Sequence, residues 1–185
     1  GGNTNIGIGF GSMALHHGDN NILISNTNGA GVIDTFLVGN VIIGNQRTTT
    51  GLSLGSDKNV LIGNYAGGSY INGGSNVAVG DSASGGNTTG HSNVAIGAKA
   101  LAKNTIKSNL VAIGDSALFN NGIGATTAEE ATQNVAIGSK ALYANTTGLS
   151  NTAVGFNAQM NGTSAGGNTS VGIKTLTNNN GTLNT

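Results

Sequence analysis

"NVAIGAKAL" occupies residues 93–101 and returns as "NVAIGSKAL" at residues 134–142, with Ala98 and Ser139 the one difference. Two near-copies in one chain call for a search for internal repeats before any other reading. Aligned on the glycine of "VAIG", the bend slot is filled by Gly9, Ser25, Gly44, Gly63, Gly80, Gly97, Gly114, Gly138, Gly155 and Gly172. The successive spacings are 16, 19, 19, 17, 17, 17, 24, 17 and 17, so the unit is 17 residues and the 24 is one unit plus seven. Nearly the whole chain is ten copies of one unit.

Each slot of the unit has its own rule. One before the bend stand Ile8, Ile24, Ile43, Ile62, Val79, Ile96, Ile113, Ile137, Val154 and Val171; three before it stand Ile6, Ile22, Val41, Val60, Val77, Val94, Val111, Val135, Thr152 and Thr169. All are β-branched, which suits a short strand. Residues two apart share a face, and the simplest place for two apolar slots is the inside of a coil. The residue between them then points outward. It is Gly7, Leu23, Ile42, Leu61, Ala78, Ala95, Ala112, Ala136, Ala153 or Ser170, never charged. An exposed strand face should be polar, so this column predicts contact with copies of the same chain, with Ala78, Ala95, Ala112, Ala136 and Ala153 on a shared axis. Leu23, Ile42 and Leu61 would suit a wider axis toward the N-terminus.

Four before the bend, nine of ten copies carry Asn, and Leu110 is the exception. Asn suits turns and left-handed backbone, and stacked Asn can form ladders. The bend Gly supplies a positive φ or a close approach. Three after it Ala66, Ala83, Ala100, Ala117, Ala141 and Ala158 recur, often followed by Leu, which predicts a second short strand or turn. These rules predict an all-β parallel solenoid of about ten coils over residues 1–176, with 177–185 a polar continuation or linker. At the strand spacing of about 4.8 Å the rod would be about 48 Å long. Absence of Pro agrees with stacked backbone donors.

Composition narrows the function classes. Only 8% of residues are charged, with seven basic and seven acidic side chains, against about 25% in ordinary domains. A net charge of zero argues against a nucleic-acid partner. With no Cys there are no disulfides or thiolate metal sites. No run approaches the roughly 18 apolar residues of a membrane span, and no secretory leader is read in the opening residues.

The pattern Asn-[Val/Thr]-Ala-[Ile/Val]-Gly-x-x-Ala-Leu followed by Asn-Thr-Thr-Gly, best seen in "NVAIGSKALYANTTGLSNTAVGFNA" (134–158), resembles the YadA-like head repeats of trimeric autotransporter adhesins. It is closer still to the longer version in bacteriophage tail fibres and related bacterial surface proteins. The resemblance covers about residues 3–176. It implies a left-handed parallel β-roll, a homotrimer, and attachment to a host-surface or extracellular-matrix receptor, glycan among the candidates. The location would be a virion tail fibre or a bacterial cell surface. The N-terminal copies depart from the pattern: Ser25 replaces Gly, and Asn28 and Arg47 replace the later Ala.

Chemistry-bearing motifs are sparse. "GIGFG" (7–11) imitates a phosphate loop, yet the repeat already accounts for Gly7 and Gly9. His16 and His17 with Asp19 could ligate a metal, but neighbouring strand residues point to opposite faces. Glu129 and Glu130, the one acidic pair, lie in the expansion "FNNGIGATTAEEATQ" (119–133). Neighbouring exposed acids are ordinarily solvated, so no catalytic residue, cofactor or metal is assigned. Solenoid insertions loop out on one face, often the binding face, and Gly122, Thr126, Thr127, Glu129 and Glu130 are the candidate receptor contacts. Tyr65, Tyr70 and Tyr143 are candidate sugar platforms, with packing as the alternative.

A structural and adhesive segment of a trimeric surface fibre, not an enzyme, is therefore the expectation. A bacterial trimeric-adhesin head is the near alternative. An ice-binding solenoid would need Thr ranks on one exposed slot, whereas Thr152 and Thr169 are expected to point inward. A polysaccharide-degrading β-helix would need clustered acids.

Overall fold

A computed structural model describes residues 4–9, 18–24, 38–45, 57–69 and 72–184. Ten three-residue strands are formed among them: β1 (Ile6–Ile8), β2 (Ile22–Ile24), β3 (Val41–Ile43), β4 (Val60–Ile62), β5 (Val77–Val79), β6 (Val94–Ile96), β7 (Val111–Ile113), β8 (Val135–Ile137), β9 (Thr152–Val154) and β10 (Thr169–Val171). They form one parallel sheet in chain order, each paired with its sequence neighbours. The register is slot on slot, with Val77 opposite Val94, Ala78 opposite Ala95 and Val79 opposite Ile96. The fold is an all-β solenoid. No helix among the described residues is long and apolar enough to cross a membrane.

The strand faces are the reverse of the sequence expectation. From β2 to β10 the central residue of the strand is the buried one: Ala78, Ala95, Ala112, Ala136 and Ala153 have no exposed surface within their own chain, and Leu23, Ile42 and Leu61 are buried with them. These alanines therefore belong to the chain's own core and cannot line an axis shared with other copies. The β-branched slots face outward, half-buried or exposed, among them Ile8, Ile24, Ile96, Ile137 and Val171. Thr152 and Thr169 face outward with them. The cause is the thinness of the coil. A 17-residue turn encloses little volume, and Asn93, Ala95 and Gly97 share the inward direction by the two-residue period of a strand. Once the Asn column is inside, Val94 and Ile96 must be outside.

The Asn column is a hydrogen-bonded line, interrupted once, at Leu110. Asn93 N–H donates to Asn76 Oδ1 at 2.9 Å, and Asn76 N–H to Asn59 Oδ1 at 2.8 Å. From Asn59 to Asn168 each side-chain amide also reaches a corner carbonyl further along the chain, as Asn76 Nδ2 does to Gly90 O at 3.0 Å. The positive φ expected of this Asn falls one residue earlier, on Lys58, Ser75, Ser92, Gln133 and Ser150. Past the strand, the bend glycines meet two demands together. Gly97 has φ +127°, and a Cβ on it would stand 2.6 Å from the carbonyl of Gly114.

Beyond the bend the chain makes consecutive turns, not a second strand. Ala100 N–H donates to Gly97 O, Ala102 N–H to Lys99 O and Asn104 N–H to Leu101 O. Lys99 and Leu101 take positive φ, and so do Ser116 and Leu118, and Lys140 and Leu142. Left-handed backbone costs a leucine about 1–2 kcal/mol, while full burial of its side chain is worth about 1.5–3 kcal/mol. Leu101, Leu118 and Leu142 are completely buried, so burial wins at these sites.

Core volume is traded between two slots. Leu61 at the strand centre accompanies Gly67 four after the bend, whereas Ala95, Ala112 and Ala136 accompany Leu101, Leu118 and Leu142. Leu61 thus fills from the strand the space that leucines fill from the turn in later coils, and Leu23 and Ile42 are buried in the chain's own core, where they do not widen an axis. Residues 177–184 carry the pattern onward: Asn184 takes the Asn slot, its N–H donating to Asn168 Oδ1 at 2.9 Å.

Ala95→Leu should overpack the core and cost about 1–3 kcal/mol in denaturant unfolding. Adding Leu101→Ala should recover part of that loss, although it destabilises on its own. Simple additivity of the two substitutions would contradict the volume trade.

Candidate functional site

The seven-residue expansion is the largest departure from the repeat. It leaves the rod at Asn121 and re-enters at Ala131, both fully buried. The two ends are joined by Asn121 Nδ2 donating to Ala131 O at 2.9 Å. Between them Gly122 and Gly124 take φ +79° and +74°, conformations that favour glycine. Ile123, Gly124 and residues 126–129 are exposed.

The loop is held by one carboxylate and one ammonium group. Glu130 Oε2 accepts the N–H groups of Thr126 at 2.6 Å and Thr127 at 3.1 Å, an arrangement like a helix N-cap closed by side chain. These two backbone donors, with a smaller contribution from Lys107, hold the Glu130 carboxyl below its ordinary range. Lys107 Nζ donates to Thr127 O from the preceding coil. Lys107 is 4% exposed, a burial that lysine tolerates only with a partner for its charge or its donors. The expansion is a tied protrusion, and its acidic pair is split: Glu130 turns inward to close the loop while Glu129 is exposed, its main-chain carbonyl accepting from Thr132.

Lys107 was not among the residues singled out from the sequence, yet the repeat marks it. Its slot, seven before the next bend, holds Gly73, Gly90, Ala131, Gly148 and Ala165 in the other described coils from the fifth onward. A Cβ at Gly90 would meet Lys107 O at 2.3 Å. From the fifth coil onward, the one long side chain in this slot stands directly before the expansion that it holds.

The other candidates separate. Gly7 is the centre of β1 and Gly9 lies on the bend column, so "GIGFG" is a repeat strand where it is described; Phe10 and Gly11 fall outside the described residues. His16, His17, Ser25, Asn28, Arg47 and Tyr70 also lie outside them. No group of three metal-ligating side chains occurs among the described residues. Tyr143 stacks on Phe119 with ring centroids 5.3 Å apart and planes 9° from parallel. Lys103 Nζ sits 5.1 Å from the Phe119 ring centre. Packing, the alternative reading of this tyrosine, describes its contacts. Tyr65 is half-buried beside an open hollow.

No protein-family model, curated protein or solved structure matches the chain.

Because Glu130 is held below its ordinary range, its contribution to loop order is present above its free value and is lost as pH falls through the folded value. The Thr126 and Thr127 amide shifts should titrate together, with a midpoint below that of a free glutamate. Glu130→Gln should abolish that titration. Lys107→Met should lower amide protection in residues 123–129 and leave the cooperative unfolding of the rod nearly unchanged. A midpoint at the ordinary glutamate value would contradict the closure.

Proposed function

We propose that this chain is a structural and adhesive segment of a surface fibre, in which identical chains associate through the outward faces of their strands. The carrying observation is the double column of β-branched apolar residues along the outside of the ten-strand sheet. Ile8 is 57% exposed and Val171 67%, and the columns run without a charged residue from end to end. Soluble monomers rarely leave apolar patches beyond a few hundred Å² uncovered. Parallel in-register pairing repeats the same outward slots in every coil, so an identical ribbon offers it a matching apolar surface along its length.

The number three is taken from the resemblance to YadA-like head repeats and their longer tail-fibre counterparts, as are placement on a virion or bacterial surface and a receptor on a host surface or in the extracellular matrix. In this reading no chemical step is catalysed. The rod holds loops at fixed heights, and threefold repetition multiplies weak contacts into a stable attachment. The tied expansion at residues 122–130 presents Thr126, Thr127 and Glu129 outward, with Glu130 closing the loop from within, and is the candidate contact. Ice binding is disfavoured because the outward slots carry Val and Ile in most coils and Thr only at Thr152 and Thr169.

Light scattering on the purified chain should give three times the 18.1 kDa monomer mass. Val94→Asp and Ile96→Asp should release folded monomers, because they place charge on the outer ribbon. Ala95→Asp should instead prevent folding, because it buries an unpaired charge. A wild-type protein that remains monomeric at high concentration would overturn the proposal.

A further inference from the structure

The turn segments of the coils containing β4, β5 and β6 leave a hollow of about 420 Å³. Tyr65, Gly68, Ser69, Ser82, Gly85 and Ala102 line it. It opens on the turn segment past the bend, away from the strand slots that form the outer apolar ribbon.

The space has a traceable origin. The slot five after the bend holds Gly68, Gly85, Ala102, Phe119, Tyr143 and Met160 in successive coils. Phe119 and Tyr143 fill it with stacked rings, so the backbone at this slot carries large side chains without difficulty. Neither Gly68 nor Gly85 has a positive φ. An added Cβ would come no closer than 3.3 Å to Tyr65 O at Gly68 and 3.2 Å to Ser82 O at Gly85. Those contacts are tight but short of overlap, unlike the 2.6 Å collision at the bend glycine Gly97. The solenoid does not need glycine at 68 and 85; what their missing side chains provide is an open floor beside an aromatic wall.

The backbone that carries the wall is hydrogen-bonded on both sides. Tyr65 sits at φ +57°, its N–H donates to Asn45 O at 3.1 Å, and its carbonyl accepts from Gly68 N–H at 3.2 Å. In later coils the same slot holds Ser82, Lys99, Ser116 and Lys140, so Tyr65 is the aromatic exception among them. Ser82 Oγ donates to Asp81 Oδ2 at 3.0 Å, which leaves its lone pairs to accept from a ligand hydroxyl. Ser69 supplies a second hydroxyl, and no charged residue lines the space.

An aromatic side chain, two hydroxyls and a floor of bare backbone match a neutral pyranose, whose C–H face packs on a ring while its hydroxyls pair with side chains. We propose that this hollow is a binding site for a neutral saccharide, with Tyr65 as the platform and Ser69 and Ser82 as polar contacts. The proposal gives a ligand class to the attachment reading and rests on it. Assembly mass and sugar binding are separate measurements, so either can fail alone.

The test is saturation-transfer NMR on the full chain with the methyl glycosides of glucose, galactose, mannose and N-acetylglucosamine. At least one should receive saturation on its ring protons. Tyr65→Ser and Gly85→Phe should each weaken that binding at least about tenfold, a loss of 1.4 kcal/mol or more. Gly85→Phe copies the residue that the rod already accepts at 119, and an unchanged thermal transition will show that it folds. Tyr143→Ser should leave binding intact. No transfer to any of the four glycosides, or full binding in a folded Gly85→Phe variant, would overturn the site.

Discussion

From Asn59 onward, each asparagine four before the bend uses both ends of its side-chain amide along the rod. Its Oδ1 accepts the main-chain N–H of the residue in the same slot one coil on, as in Asn151 to Asn134 at 3.0 Å and Asn168 to Asn151 at 3.1 Å. Its Nδ2 donates to a corner carbonyl, as Asn151 does to Ala165 O at 2.6 Å. Its own carbonyl accepts from the strand of the previous coil, as Asn93 O does from Val77 N–H at 2.8 Å. A primary amide is the group that can do this in a dry interior. Aspartate would lack the donor and would stack like charges. Alanine would leave a buried donor on the next coil unsatisfied, at about 1–3 kcal/mol. The column fixes register: a slip of one residue would turn every asparagine outward and every outer valine inward.

Much else follows from that line. With Asn inward, the small central strand residue must be inward too, and the bend glycines stack on the same side, where a Cβ on one would strike the carbonyl of the next. The remaining interior is narrow, and a large apolar side chain enters it from the strand at Leu61 or from the turn at Leu101, Leu118 and Leu142. The large β-branched residues, which in a thicker protein would form the core, are left on the surface. The one break in the asparagine line, Leu110, still donates its N–H to Asn93 Oδ1 at 3.0 Å but offers Asn134 no side-chain acceptor. It stands just before the enlarged coil, where Asn121 Oδ1 takes bonds from Asn134 Nδ2 at 3.4 Å and Asn145 Nδ2 at 2.9 Å. The rod's regularity and its local exception are therefore one problem in placing polar groups.

The period, the ten strands and their parallel stacking were legible in the sequence because identical slots recur at fixed spacing. The direction of the slots was misread. Val94 and Ile96 look like core residues by chemistry alone, and Asn93 looks like a turn residue. Only the buried state of the asparagine, two positions from Ala95, decides the parity, and hydrophobicity does not report it. The alternating left-handed backbone at Lys99 and Leu101 was equally hidden, since neither residue type favours it and packing imposes it. At the candidate loop, the expansion and Glu130 could be read from spacing, whereas the role of Lys107 required comparing one slot across all coils. The hollow beside Tyr65 is likewise invisible in any single unit, because it exists through what Gly68 and Gly85 lack relative to Phe119 and Tyr143.

The buried asparagine line is tested most directly by hydrogen exchange of side-chain amides, resolved by NMR in fully folded protein. The NH₂ groups of Asn59, Asn76, Asn93, Asn151 and Asn168 should exchange slowly, with protection approaching that of the strand amides beside them. Those of exposed Asn45 and Asn109 should exchange at rates near those of an unstructured peptide. Fast exchange throughout the first group, under conditions where the strand amides stay protected, would contradict the inward asparagine column and the strand orientation built on it.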